Sequence, residues 1–171
     1  MTTLHTLYLV SVWLHILAAM TWIGGMLFLV LVVVPWLRRG DRATAAAFLR
    51  DTGTRFRDVG WTCFGVILAT GTFNLWVRGV RIADLARPSW RASPFGKAVL
   101  WKLAVFALVL VVSAYHDFVI GPRATAALRD APGSVAAERL RRRASWLGRL
   151  DAVLALILVA LAVILVRGWP W

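Results

Sequence analysis

Cysteine is almost missing from this chain, and acidic residues are scarce. A single cysteine, Cys63, excludes an intramolecular disulfide and any metal site built from several thiolates. With only three methionines, one of them the initiator, the chain is also poor in the soft donors that copper(I) prefers. Eight Asp and Glu face 20 Lys and Arg. Stretches polar enough for a soluble domain are lacking too, because the charged residues cluster between long apolar runs.

What is there is hydrophobic. Sixty per cent of residues are apolar, and four stretches are long enough to cross a hydrocarbon layer of ~30 Å, which takes about 20 residues. They run over about 4–35, 59–77, 98–120 and 150–169. The expectation is an all-α, integral membrane four-helix bundle forming one transmembrane domain over 1–171. The first stretch lacks the basic leader and cleavage site of a signal peptide and runs on into Val34-Pro35, so it reads as a retained helix.

Basic residues set the expected orientation. Arg38, Arg39, Arg42, Arg50, Arg55 and Arg57 lie between the first two stretches; Arg123, Arg129, Arg139, Arg141, Arg142, Arg143 and Arg149 lie between the last two. The middle connection is less basic, and Arg167 alone charges the tails. The positive-inside rule then places both termini outside and the first and third connections in the cytoplasm, in a cytoplasmic (inner) membrane. Trp36, Trp61, Trp76, Trp101, Trp146, Trp169 and Trp171 fall near span ends, where an interfacial belt belongs. The net charge of +12 is thereby a topology signal and an attraction to anionic headgroups, so nucleic acid is not an expected partner. The basic connections also read as short amphipathic helices on the headgroup layer, broken at Pro132-Gly133.

The first and third stretches end alike. Pro35 precedes Arg42-Ala43-Thr44-Ala45-Ala46-Ala47 and Leu49-Arg50-Asp51, while Pro122 precedes Arg123-Ala124-Thr125-Ala126-Ala127 and Leu128-Arg129-Asp130. A two-plus-two repeat follows as an expectation. Within it His15 and Lys102 become equivalent, each twenty positions before its proline.

Ionisable groups inside lipid are costly and usually face a bundle interior or a ligand. At ~1.5 Å per residue, His15 and Lys102 lie about 30 Å above their prolines, with Asn74 and Thr70 in the same layer. His116 lies only about 9 Å above Pro122, and Met26 about 13 Å above Pro35. The two histidines thus differ in depth by roughly 20 Å, whereas nitrogens sharing one metal sit about 4 Å apart. Two sites are expected: an outer one at His15 and Lys102, and an inner one at His116 with Met26. Trp22 and Met26 share the helical face of His15, and Val109, Ser113 and His116 share that of Lys102. Each residue also has a plain reading: Lys102 snorkels, His116 bonds a neighbouring helix, and Met20 and Met26 pack.

The run Trp13-Leu14-His15-Ile16-Leu17-Ala18-Ala19-Met20-Thr21-Trp22-Ile23-Gly24-Gly25 resembles the first helix of the copper-resistance protein D (CopD) domain. Arg55-Phe56-Arg57 leading into Ala69-Thr70-Gly71-Thr72, and Phe95-Gly96-Lys97 leading to Lys102, resemble the same domain. His15, Lys102 and Tyr115-His116 also resemble the related HemJ-type protoporphyrinogen oxidases. The first likeness implies movement of copper across the inner membrane. The second implies haem b and electron transfer from a tetrapyrrole, with His15 the haem-related histidine and Lys102 and His116 functional residues. Val34-Pro35-Trp36-Leu37-Arg38 departs from the oxidase pattern, and the chain lacks the larger bundle of full-length copper-resistance proteins.

Donor chemistry modestly favours haem, which asks for one or two axial ligands and cations for its propionates. The expectation is a membrane protein binding a metal centre, haem b first, for redox or metal handling. Its cofactor-contacting residues would be His15, Lys102 and His116, and its metal donors His15, His116 and Met26. A copper-tolerance permease component routed through His15, His116, Met20 and Met26, and a non-catalytic scaffold, are the alternatives. The expected partners are the lipid bilayer, a tetrapyrrole or copper ion, and a second copy of the chain.

Overall fold

No water reaches the backbone in hydrocarbon, so a spanning segment must satisfy its own N–H and C=O groups, and these stretches do so as helices. The computed structural model describes residues 3–37, 39, 42–131 and 133–168. Helix α1 (Thr3–Phe28) passes through a π-helical turn at Leu29–Val33 into α2 (Val34–Leu37). Helix α3 (Arg42–Val77) leads to a 3-10 turn at Ile82–Ala86 and the short α4 (Pro88–Ala92). Helix α5 (Pro94–Tyr115) continues through a second π-helical turn, His116–Ile120, into α6 (Gly121–Asp130), and α7 (Val135–Arg167) follows. Among the described residues there is no strand. Thr3–Trp36, Arg50–Val77, Pro94–Asp130 and Val135–Arg167 are each long and apolar enough to cross a membrane. The chain is the all-α, multi-pass bundle that its composition leads one to expect.

The helices overrun the apolar stretches. Alanine, leucine and arginine are strong helix formers, so the helices propagate into the basic segments. The first basic segment is therefore the N-terminal part of α3 and not a separate helix, while the second forms the short α6 and the start of α7. α3 runs unbroken from Arg42, and α6 follows α5 directly. The break between α6 and α7 does fall at Gly133, whose φ of 85° suits a residue without a Cβ. Arg38, Pro132, Trp169 and Trp171 lie outside the described residues.

Each half of the chain is a helix pair, α1 on α3 and α5 on α7. The halves share a further device. In both, the π-turn ends two residues before the proline, and the residue preceding the proline donates its N–H five residues back: Val34 to Leu29, Gly121 to His116. A proline ring inside a helix clashes with the carbonyl four residues earlier, and here those residues, Leu31 and Phe118, both lie in the widened turn. The two-plus-two reading thus has a backbone counterpart.

All four long helices feed one apolar cluster, with Ala18, Trp22 and Met26 from α1, Cys63 and Phe64 from α3, Val109 and Val112 from α5, and Ala152, Leu154, Ala155 and Leu158 from α7. Phe64 centres it, edge-on to Trp22, Trp61 and Phe106 at 4.9, 5.4 and 6.0 Å between ring centres. Lipid is as apolar as these side chains, so close packing rather than hydrophobicity holds the helices together. Trp36, Trp76, Trp101 and Trp146 are exposed, as belt residues should be. Trp61 is not; it turns into the bundle.

The start of α5 positions Lys102. The Ser93 hydroxyl accepts the Gly96 N–H at 3.0 Å, Pro94 opens the helix, and Gly96 is buried against Trp90. A Cβ at Gly96 would collide with the Trp90 carbonyl, whereas one at Gly24 would meet nothing. Gly96→Ala should therefore cost about 1–3 kcal/mol by overpacking, read as a lowered unfolding midpoint of the purified protein in detergent. Gly24→Ala should stay within about 0.5 kcal/mol.

Candidate functional site

Polar side chains gather in two layers between the helices. One, the outer layer if both termini face outward, lies where α1 meets α3. Ser11 and His15 stand one turn apart on α1, opposite Thr70 and Asn74 on α3. The Ser11 hydroxyl reaches the Thr70 carbonyl at 3.5 Å, and His15 Nδ1 lies 2.8 Å from Thr70 Oγ1. The direction of that second bond follows from the threonine. Its single hydroxyl proton goes to the Val66 carbonyl at 2.6 Å, so toward His15 the oxygen accepts. Nδ1 of the neutral ring therefore carries the proton, and Nε2 is left with its lone pair, the form in which imidazole binds metals.

Gly71 completes the seat. A Cβ there would come within 3.3 Å of His15 Cε1, tighter than ordinary packing. Thr70 and Gly71 thus hold and admit one imidazole, which accounts physically for the Ala69-Thr70-Gly71-Thr72 motif. Lys102 enters the layer from α5, half-buried and near enough to act electrostatically on His15. Among the described residues no carboxylate pairs with it. The buried Asn74 Oδ1 has no hydrogen-bond partner either.

The inner layer surrounds the second π-turn. His116 Nδ1 lies 2.9 Å from Asp117 Oδ1, and the Trp61 indole donates to Asp117 Oδ2 at 3.0 Å. One turn earlier, the buried Ser113 hydroxyl donates to Asp151 Oδ2 of α7 at 2.8 Å. Neither Asp151 nor Trp61 was expected here, since Asp151 reads as a charge at the edge of the fourth apolar stretch and Trp61 as a belt residue. The signal for Asp151 was in the helical phase: it continues the buried stripe of Leu154, Ala155 and Leu158 by one turn.

Helix α3 serves as a ruler between the layers. Thr70, which holds His15, and Trp61, which holds Asp117, are nine residues apart, or about 13 Å of helical rise. Trp61 leans toward the N-terminus of α3, as helical side chains do, which widens the gap. His15 and His116 do not converge on one ion, because shared coordination needs nitrogens about 4 Å apart.

The remaining candidates separate clearly. Met26 and Cys63 both sit in the apolar cluster. Met20 is 64% exposed and points away from the bundle, so the imagined copper route through it has no place. His5 is exposed. Gly25 admits the Phe56 ring, whose Cε2 would lie 2.6 Å from an added Cβ. Among the described residues no three His, Cys, Asp or Glu side chains stand together so as to hold a metal ion.

The donor set of the outer layer suits haem b: a free imidazole nitrogen and an unpaired cation. The packing does not. His15 is wedged between α1 and Gly71. A surface depression of about 640 Å³ is lined by Thr21, Gly25, Asp51, Thr52, Arg55, Phe56 and Val59, and another of about 200 Å³ by Pro94, Phe95, Ala98, Ile164, Leu165 and Gly168. Neither borders His15 or Lys102, so neither offers a planar macrocycle a slot at this pair.

Comparison with known proteins points to one family. The family model for copper resistance protein D matches residues 50–165, a stretch that includes Thr70, Lys102 and both inner carboxylates but begins after α1. An uncharacterized protein of Aquifex aeolicus (strain VF5) is 34% identical over 156 residues, covering 91% of this chain and 93% of that protein. Copper transport protein CutJ of Bacillus subtilis (strain 168) is 33% identical over 103 residues, covering 60% of this chain. Those residues are only 17% of CutJ, so this chain corresponds to a small part of that protein. No solved structure matches. With four membrane-crossing helices and a family match over most of its length, the chain belongs to the copper resistance protein D family.

Proposed function

We propose that this protein handles copper at the cytoplasmic membrane, contacting the ion as cargo through His15. The observation that carries the reading is the direction of the His15–Thr70 bond, which leaves the lone pair on Nε2. Imidazole is an acceptable ligand for copper(I), and the thioether of Met26, deeper in the cluster, is a preferred one. Both termini facing outward would place the His15 layer in the outer half of the membrane, with copper reaching it from that side.

Lys102 suits transfer rather than storage. A cation near enough to act on His15 opposes a bound metal ion, and a site on a conduction route must bind weakly enough to release. The aromatic contacts of Phe64 with Trp22 and Phe106 lie between the outer and inner layers, so passage inward requires those rings to move. Copper transport protein CutJ, which matches this chain over 60% of its length, bears a name consistent with this role.

Haem b is the second reading, and Lys102 is what favours it, as an unpaired cation able to meet a propionate. The wedged imidazole weighs against it. The absorption spectrum of protein purified from haem-replete cells separates the two: a Soret band weakened in His15→Ala would replace the copper reading with the haem one.

On the copper reading, copper(I) binding by the purified protein, followed by competition with a chromophoric chelator, should be lost in His15→Ala. It should weaken by about fivefold in Thr70→Val, where the ring loses a hydrogen bond worth ~1 kcal/mol. Lys102→Leu should tighten it by about tenfold through removal of an opposing charge. Unchanged affinity in His15→Ala would overturn the assignment.

A further inference from the structure

Asp151 is unlike every other acidic residue described in the chain. It is 6% exposed, one carboxylate oxygen accepts the Ser113 hydroxyl, and the other, Oδ1, is buried with no hydrogen-bond partner. Its neighbours on the same face of α7 are Leu154 and Ala155, both in the apolar cluster. Asp117 offers the contrast within one layer, because both its oxygens are engaged, by His116 and by Trp61. A bare anionic oxygen in such packing costs several kcal/mol, and a proton removes the charge that causes the cost.

We infer that Asp151, seated on Ser113, is a proton-binding site of the inner layer. One proton converts the carboxylate to the neutral acid, and its release restores the charge; no other bond changes. The groups facing this carboxyl are few. The π-turn presents His116 and Asp117, both near enough to act on it electrostatically. From α5 comes only the Ser113 hydroxyl, and α1 contributes apolar and thioether side chains to the adjoining cluster. The charged residues of α6 are exposed, with Arg129 paired to Asp130, and on α7 the neighbouring Arg149 is exposed. On α3, Arg57 is engaged with Asp58 and the Phe118 ring. No ion pair neutralises Asp151 among the described residues. A hard divalent cation would want six or more oxygen ligands, which one hydroxyl and two carboxylates already bonded at three of their four oxygens cannot supply. The smallest cation is the one that fits.

Infrared difference spectroscopy of the copper-free full chain in lipid vesicles, stepped through pH, tests this directly. The expected result is a buried carboxylic-acid C=O band that disappears on alkalinisation and shifts in heavy water. It should be lost in Asp151→Asn, retained at a shifted frequency in Asp151→Glu, and moved in Ser113→Ala, where Oδ2 loses its donor. If Asp151→Asn does not fold, the other two variants carry the test. A band that persists in Asp151→Asn or stays unmoved in both other variants overturns the proposal. So does the lack of any acid band across the pH range in which the protein stays folded. An Asp151 carboxylate signal that answers to sodium at fixed pH would instead identify an alkali-cation site and overturn it too.

Discussion

Three hydrogen bonds between side chains tie the four long helices into one bundle. His15 and Thr70 join α1 to α3, Trp61 and Asp117 join α3 to the end of α5, and Ser113 and Asp151 join α5 to α7. In lipid the apolar surfaces of helices gain little by leaving their surroundings, so such bonds and close packing set which helix meets which. The bonds also fix register. Each joins residues 38 to 56 positions apart in the chain, and a slip of one turn would leave a polar group facing hydrocarbon. The candidate functional groups depend on the same bonds, because His15 and Asp151, the groups proposed to bind an ion and a proton, are among those that hold the helices.

Much of this frame was legible in the sequence. Four apolar runs, the pairing of like-ending halves, and the inward stripe of His15, Trp22 and Met26 follow from hydropathy and a 3.6-residue period, both of which lipid enforces strictly. The meeting of His15 with Thr70 followed from counting rise along helices. What counting could not supply was partnership. The Thr70–Val66 bond that sets the His15 tautomer depends on where a hydroxyl proton points, and no spacing encodes that. Asp151 was missed for a different reason: a charge at the edge of an apolar run looks like the start of a loop until the buried stripe beyond it is carried back one turn. Trp61 was misread because tryptophan suits an interface and a polar bundle interior equally well, having an apolar body and one N–H to give. The π-turns left no mark in hydropathy, though each precedes a proline.

The matched π-turns allow the two halves to be compared position by position. With Pro35 and Pro122 superimposed, His15 falls on Lys102, Met26 on Ser113, and Leu29 on His116. The first half keeps its ionisable group in the outer layer and is apolar at the π-turn. The second carries an ammonium in the outer layer and gathers Ser113, His116 and Asp117 at the π-turn. One backbone plan thus supports two chemistries at different depths. The separation has a physical consequence: about 13 Å of helical rise and the ring contacts of Phe64 lie between a neutral imidazole with a free nitrogen and a carboxyl with a bare oxygen.

Those two groups answer different demands. A metal cation seeks the imidazole lone pair, and a proton seeks the oxygen, so ion and proton need not compete for one ligand. Coupling between them, if a conformational change links the layers, has two routes: α5, which carries Lys102 and Ser113, and α3. That helix touches both, at Thr70 and at Trp61, and it carries Phe64 between them. Movement of Phe64 that opened a way past Trp22 would also disturb Trp61, with which it is in ring contact, and hence the donor that holds Asp117. Freeing that carboxylate beside His116 changes the field at Asp151, because a carboxylate that loses a hydrogen-bond donor has its charge less well compensated. The aromatic cluster is therefore more than filler. On the proposed copper reading it would be the mechanical link through which an event at the outer imidazole reaches the inner carboxyl.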